Sequence, residues 1–133
     1  MTTDVLDETY AAVRAMLARA ATGMEAFNER PDGVTLLADW ANPAKPKERM
    51  WFGGAAKMKN YVSVHLMPVY SHPSLLADLS PALKKRQQGK SCFNLKSPDP
   101  DLLAELEALT TKAAALYARP FVSAEWGRPP KEN

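Results

Sequence analysis

The stretch that decides the fold is YVSVHLM, residues 61–67. Val62, Val64 and Leu66 are apolar, and they alternate with side chains of mixed character. Because successive side chains of a strand point to opposite faces of a sheet, this alternation predicts a β-strand with one face in a hydrophobic core. The other face carries polar and aromatic groups, so the same stretch is also of interest for function.

Further strands are expected on both sides of this one. A turn at residues 30–33, RPDG, separates two β-prone runs, and the paired glycines Gly53 and Gly54 predict a bulge or a close approach by a neighbouring backbone. The expected strands cover residues 24–29, 34–40, 49–57, 61–67 and 91–95. Together they predict a meander of four antiparallel strands with one more strand added.

Helices are expected at both ends of this sheet. Apolar residues recur at three- and four-residue steps over residues 5–21, and a leucine stripe follows the Asp99-Pro100 start and continues to Tyr117. Two shorter helical pieces are expected at residues 74–79 and 82–88. The element order predicts an α+β domain.

Composition limits the class of protein. The 133 residues suit one domain, expected over residues 1–118 with an irregular tail over residues 119–133. One cysteine, Cys92, excludes an internal disulfide. We expect neither a signal peptide nor a membrane span, because residues 1–8 lack the cationic and apolar regions of a signal peptide and no apolar run approaches about 18 residues. We expect a cytoplasmic protein without a membrane partner. The net charge of +2 argues against a nucleic-acid binder, and no motif indicates a cofactor.

A family resemblance supports the same architecture. The strings NYVSVHLMPVY (residues 60–70), LKKR (residues 83–86) and QGKSCFN (residues 88–94), with the leucine-striped helix after them, resemble a branch of the YdhG-like family of small bacterial domains of unknown function. The resemblance implies a two-layer sandwich of about five strands, with the N- and C-terminal helices packed on one face.

The wider superfamily includes a frataxin-like iron chaperone, and the resemblance therefore implies iron handling as one alternative. Such proteins hold iron on exposed acidic surfaces. In this chain two groups of acidic residues lie on the terminal helices: Asp4, Asp7 and Glu8 on the first, and Asp99, Asp101, Glu105 and Glu107 on the last.

The uncovered face of a two-layer sandwich is the first candidate site. It must be solvated, covered in a homo-oligomer, or used for a small ligand. The strand alternation predicts that Tyr61, Ser63, His65, Cys92 and Asn94 share it, and Trp51 of the neighbouring strand is a further candidate for the same face. Aromatic, imidazole, thiol and amide groups together are typical of a small-molecule pocket. The leading hypothesis is therefore a non-catalytic domain that self-associates or binds a ligand here.

Two alternatives come from other residue types. Four cations, Lys84, Lys85, Arg86 and Lys90, predict an anion site on a short helix and its exit, for an anionic metabolite or, more remotely, a nucleic-acid backbone. Cys92 and His65 could form a nucleophile–base pair of an enzyme. His65, His72 and Cys92 have no spacing diagnostic of a metal site, so no metal ligand is predicted.

Overall fold

The computed structural model describes residues 4–42, 45–89 and 91–118, and these residues form an antiparallel sheet with helices packed against it. Its helices are α1 (Val5–Ala20), α2 (Met67–Ser71), α3 (Pro81–Lys84) and α4 (Pro100–Leu116), with a 3-10 turn at Pro73–Leu76. Its strands are β1 (Glu25–Arg30), β2 (Gly33–Asn42), β3 (Lys45–Lys57), β4 (Val62–Leu66), β5 (Gln87–Gln88) and β6 (Cys92–Leu95).

The sheet has six strands in the order β1-β2-β3-β4-β6-β5, and every neighbouring pair is antiparallel. This confirms the α+β class and the four-strand meander with β6 added beside β4. Apolar side chains from β2, β3, β4 and β6 join those of α1 and α4 in one buried cluster. We call the face of the sheet turned away from α1 and α4 the open face.

Both long helices begin where local chemistry predicts. Asp4 accepts a hydrogen bond from the backbone N–H of Leu6, and Asp99 accepts from those of Asp101 and Leu102. Pro100 occupies the first turn of α4, where its missing N–H costs no helical hydrogen bond. These caps decide the residue at which each of the two helices that cover the sheet begins.

The predicted helix over residues 82–88 begins as expected, with Ser80 as its N-cap, but its second half is wrong. Helix α3 ends at Lys84, and Gln87 and Gln88 form the edge strand β5 beside β6. The backbone N–H of Asn94 donates to the carbonyl oxygen of Arg86 at 2.8 Å. Pairing with the unsatisfied edge of β6 therefore outweighs local helix propensity, and it accounts for the sixth strand.

Several element boundaries also differ from prediction, and two of these differences are larger or have a clear local cause. Met67 opens α2 instead of closing the strand, because Pro68 suits the first turn of a helix and cannot donate to a strand ladder. Strand β3 begins at Lys45 instead of residue 49. The predicted tail, residues 119–133, lies outside the described residues. None of the described helices has the length and apolar character needed to span a membrane.

Candidate functional site on the open sheet face

Ser63 and His65 of β4 lie on the open face, while Val62, Val64 and Leu66 are fully buried on the opposite side. Strand register places Ser63 directly opposite Asn94 and His65 directly opposite Cys92. All four open-face residues are half-buried. The pairing between β4 and β6 thus brings together four of the predicted residues.

His65 and Cys92 are in direct contact. The Nδ1 atom of His65 lies 3.0 Å from Sγ of Cys92, and the direction of the hydrogen bond depends on the imidazole tautomer. The hydroxyl of Ser91 lies 3.4 Å from both ring nitrogens, too far for a strong hydrogen bond. The imidazole therefore has the thiol as its nearest polar partner among these groups.

Trp51 stacks on the other side of His65. The two ring planes are parallel within 6°, and their centroids lie 4.5 Å apart. The indole N–H also donates to the carbonyl oxygen of Gly53 at 3.1 Å. Trp51 nevertheless stays 38% exposed, so an aromatic ring held at two points faces solvent.

A bulge in β3 turns Trp51 to the open face. Gly53 pairs with Leu36 and with Leu66, which both face the core, so simple alternation would place Trp51 in the core as well. The register shifts at this point, Trp51 pairs with Leu37, and Phe52 takes the buried position. The predicted bulge is thus present, and it decides which aromatic side chain the open face receives.

The glycines at this bulge permit a very close approach of neighbouring strands. A Cβ atom on Gly53 would lie 2.1 Å from the carbonyl oxygen of His65, and one on Gly54 would lie 2.2 Å from that of Val34. Both distances are far below contact. The predicted close approach is therefore confirmed on both sides of β3.

Tyr61 is separate from this group. It precedes β4, in a turn where its carbonyl oxygen accepts from the backbone N–H of Met58 at 2.7 Å. Within the described parts of the chain, no hydrogen bond or ring contact joins Tyr61 to Trp51, His65 or Cys92. The contact cluster therefore consists of Trp51, His65 and Cys92, with the Ser63–Asn94 pair beside it.

A groove that was not predicted adjoins Trp51 on the same face. It has a volume of about 390 Å³ and is lined by Phe27, Thr35, Leu37, Asn42, Lys45, Glu48, Arg49 and Trp51. Phe27 is 57% exposed and lies opposite Thr35 across the β1–β2 pair. The sequence offered one sign of this groove, the expected strand that contains Phe27. The groove itself forms only when β1, β2 and β3 pair.

The arginine of this groove is already engaged. Its side chain donates to the carbonyl oxygen of Ala38 at 2.9 Å and forms an ion pair with Glu25. A second carboxylate, that of Asp39, lies 4.0 Å from Arg49. Because these partners balance its charge, Arg49 gives the groove little net attraction for an anion.

Burial lowers the pKa of His65 below its ordinary value, since desolvation disfavours the charged imidazolium. The ring is therefore neutral near pH 7. A neutral imidazole can accept a proton, and this state is the one a general base requires.

The predicted cation cluster is not carried by one helix. Lys84 ends α3, while Lys85 and Arg86 lie in the connection to β5. Lys84 and Lys85 are exposed and Arg86 is half-buried. Lys90 lies outside the described residues, so anion binding stays a prediction.

His72 does not join His65 and Cys92. It follows α2, where its Nδ1 atom lies 2.9 Å from the hydroxyl of the buried Ser71. Over residues 4–42, 45–89 and 91–118, no group of three or more histidine, cysteine, aspartate or glutamate side chains is placed to hold a metal ion.

Comparison of the chain with protein-family models, with curated proteins and with solved structures finds no match. The resemblance to the YdhG-like family stays a prediction. The geometry of the open face is therefore the basis for assigning a function.

Proposed function

We propose that this protein is a small-molecule-binding domain that holds a planar, aromatic or heteroaromatic ligand in the open-face groove against Trp51. The observation that carries the proposal is the fixed, half-exposed indole at the wall of that groove. The proposal takes the protein to be cytoplasmic, where its single cysteine stays reduced.

The indole of Trp51 is held in place before any ligand arrives. Its stack on His65 and its hydrogen bond to Gly53 restrict both side-chain torsions. A ligand ring that packs on it therefore loses little binding energy to side-chain ordering. Ring pairs of this kind contribute about 0.5–1.5 kcal/mol beyond the area they bury.

The composition of the groove indicates an uncharged ligand with a polar edge. Phe27, Leu37 and Trp51 supply apolar surface, and Thr35 and Asn42 contribute a hydroxyl and an amide. Glu25 pairs with Arg49, and the two other charged side chains of the groove, Lys45 and Glu48, are of opposite sign, so the groove carries little net charge.

Self-association through the same face is less well supported. A stable interface buries roughly 800 Å² on each partner around an apolar centre. Among the described residues, the exposed large apolar side chains of the open face are Phe27 and Trp51, with charged Asp39, Glu48 and Arg49 close by. This patch suits a ligand better than a second copy of the chain.

A fragment screen tests the proposal. Heteroaromatic fragments are added to isotope-labelled protein, and we expect shifts of the Trp51 indole resonance and of β1–β3 amides. Trp51→Ala should abolish binding. Tyr70→Ala, which removes an exposed aromatic ring from α2, should leave it unchanged.

Either of two results would overturn the proposal. Fragments that bind equally to wild type and to Trp51→Ala would place the ligand elsewhere. A salt-insensitive dimer in light scattering, broken by Phe27→Ala or Trp51→Ala, would assign the face to self-association.

A further inference from the structure

The open face also carries a thiol beside a base. Cys92 is a free, half-buried cysteine whose Sγ lies 3.0 Å from Nδ1 of His65. The parallel stack with Trp51 holds the imidazole plane, and the β4–β6 pairing sets His65 directly opposite Cys92. A nucleophile, an adjacent base and a group that orients the base are the parts of nucleophilic catalysis by cysteine.

We propose that Cys92 adds to α,β-unsaturated carbonyl compounds, with Nδ1 of His65 as the general base. The imidazole takes the thiol proton while Sγ forms a bond to the β-carbon. The π-electron pair of the C=C bond moves toward the carbonyl, giving an enolate, and the imidazolium returns the proton to the α-carbon. The product is a thioether, and no oxidant or reductant is required.

The neighbours of the thiol favour this class of electrophile. Gln88 lies opposite Cys92 across the β5–β6 pair, and Asn94 and Ser63 face each other next along the β4–β6 ladder. These side chains carry uncharged hydrogen-bond donors, which suit a carbonyl oxygen that becomes an enolate.

The imidazole of the resting pair is neutral. The ring of His65 is surrounded by Trp51 from β3, Cys92 from β6 and Ser91 from the preceding turn, and burial is the cause of its lowered pKa. A preformed thiolate would need an imidazolium partner. Base assistance during addition is therefore the mechanism that fits.

The thiol site is separate from the groove. In the strand order β3-β4-β6, His65 stands between Trp51, which lines the groove, and Cys92. Cys92 itself does not line the groove. The two proposals therefore succeed or fail separately.

The test is the second-order rate constant for N-ethylmaleimide addition at pH 7, measured by mass spectrometry. We expect the folded protein to react at least about a hundredfold faster than the same chain in denaturing urea, the low end for general-base assistance. Cys92→Ser should not be labelled. His65→Gln should lose the acceleration, and His72→Gln, which alters the other histidine, should keep it.

The pH profile supplies a readout that does not require a variant. With His65 as base, the wild-type rate should fall only below the ordinary histidine pKa of about 6.5, whereas an unassisted thiol loses about tenfold per pH unit below its own pKa of about 8.5. A folded rate no greater than the rate in urea, or an unassisted profile, would overturn the proposal. An equal acceleration with iodoacetamide would overturn the assignment to unsaturated carbonyls.

Discussion

The rings of Trp51 and His65 stack at a centroid distance of 4.5 Å, and this contact connects the two halves of the open face. Trp51 forms the wall of the groove, and His65 contacts the thiol of Cys92. The arrangement depends on the bulge at Gly53, without which the indole would face the core.

Gly53→Ala tests this dependence. The new Cβ would lie 2.1 Å from the carbonyl oxygen of His65, a backbone atom that cannot move without parting β3 from β4. We expect a loss of about 2 kcal/mol or more in the free energy of unfolding. Urea denaturation measures the change.

Gly33→Ala is the matched control for this substitution. Its Cβ would meet the nearest atom, the carbonyl oxygen of Ala55, at 3.5 Å, an ordinary contact. We expect a change below about 1 kcal/mol. Equal losses in the two variants would contradict the role assigned to Gly53.

The stability of the protein should fall on acidification because of His65. Its pKa is lower in the folded chain than in the unfolded one, so the unfolded state binds the proton more readily. The contribution of His65 to the free energy of unfolding is fully present above the unfolded pKa of about 6.5. It is lost as pH falls through the lower folded pKa.

Urea denaturation at pH 7.5 and pH 5.5 measures this dependence. Wild type should lose more of its unfolding free energy between the two values than His65→Gln does. Identical pH dependence in both proteins would show that the imidazole is not shielded from water.

Deprotonation of Tyr117 should destabilise the folded protein in alkaline solution. Burial raises its pKa to about 12, and its hydroxyl lies 3.0 Å from that of Ser71. The folded pKa of Tyr117 exceeds the unfolded value of about 10. Its contribution to the free energy of unfolding is therefore fully present below pH 10 and is lost as pH rises toward 12.

Ultraviolet titration of wild type and Tyr117→Phe measures this pKa. We expect a transition near pH 12 that is absent from the variant. The variant should also lose about 1–2 kcal/mol of unfolding free energy at pH 7, because the hydrogen bond to Ser71 is missing. Tyr70→Phe, on an exposed ring, should have little effect. Retention of the transition in Tyr117→Phe would refute the assignment.

Glu105 should anchor α3 to α4. Its carboxylate accepts from the backbone N–H of Ser80 at 2.7 Å and from the Ser80 hydroxyl at 2.6 Å. The same hydroxyl accepts from the N–H of Leu83 at 3.1 Å and caps α3. Glu105→Ala should therefore cost about 1–2 kcal/mol of unfolding free energy.

Glu107→Ala on the same helix is the control for Glu105. Its ion pair with Arg19 links α1 and α4, but both side chains are substantially exposed, and solvent and salt screen such pairs. We expect a smaller loss that shrinks further at high salt. A larger loss for Glu107 than for Glu105 would contradict the prediction.

Local sequence patterns predicted most of the helices and strands, because helix caps and hydrophobic periodicity depend only on a few neighbouring residues. Asp4, Asp99 and Pro100 mark helix starts without information from elsewhere in the chain. The sequence missed β5, because Gln87 and Gln88 follow a capped α3 and become a strand only through pairing with β6.

The candidate site was predictable in part. Alternation placed Ser63, His65, Cys92 and Asn94 on one face, and it allowed a pair of Cys92 and His65, but it could not decide whether an imidazole and a thiol in separate strands touch. Tyr61 fitted the alternation and yet lies outside the contact cluster, because β4 begins only at Val62. The groove lined by Phe27 required the pairing of three strands.

By itself, the sequence determined the α+β class, the meander and the buried side of β4, because hydrophobic periodicity and capping are local properties of a chain. Only the tertiary structure decided that Trp51 faces outward while Phe52 is buried, and that His65 lies 3.0 Å from Cys92. The physical reason is register: one bulged residue reverses the faces of a strand, and pairing between strands decides which side chains meet.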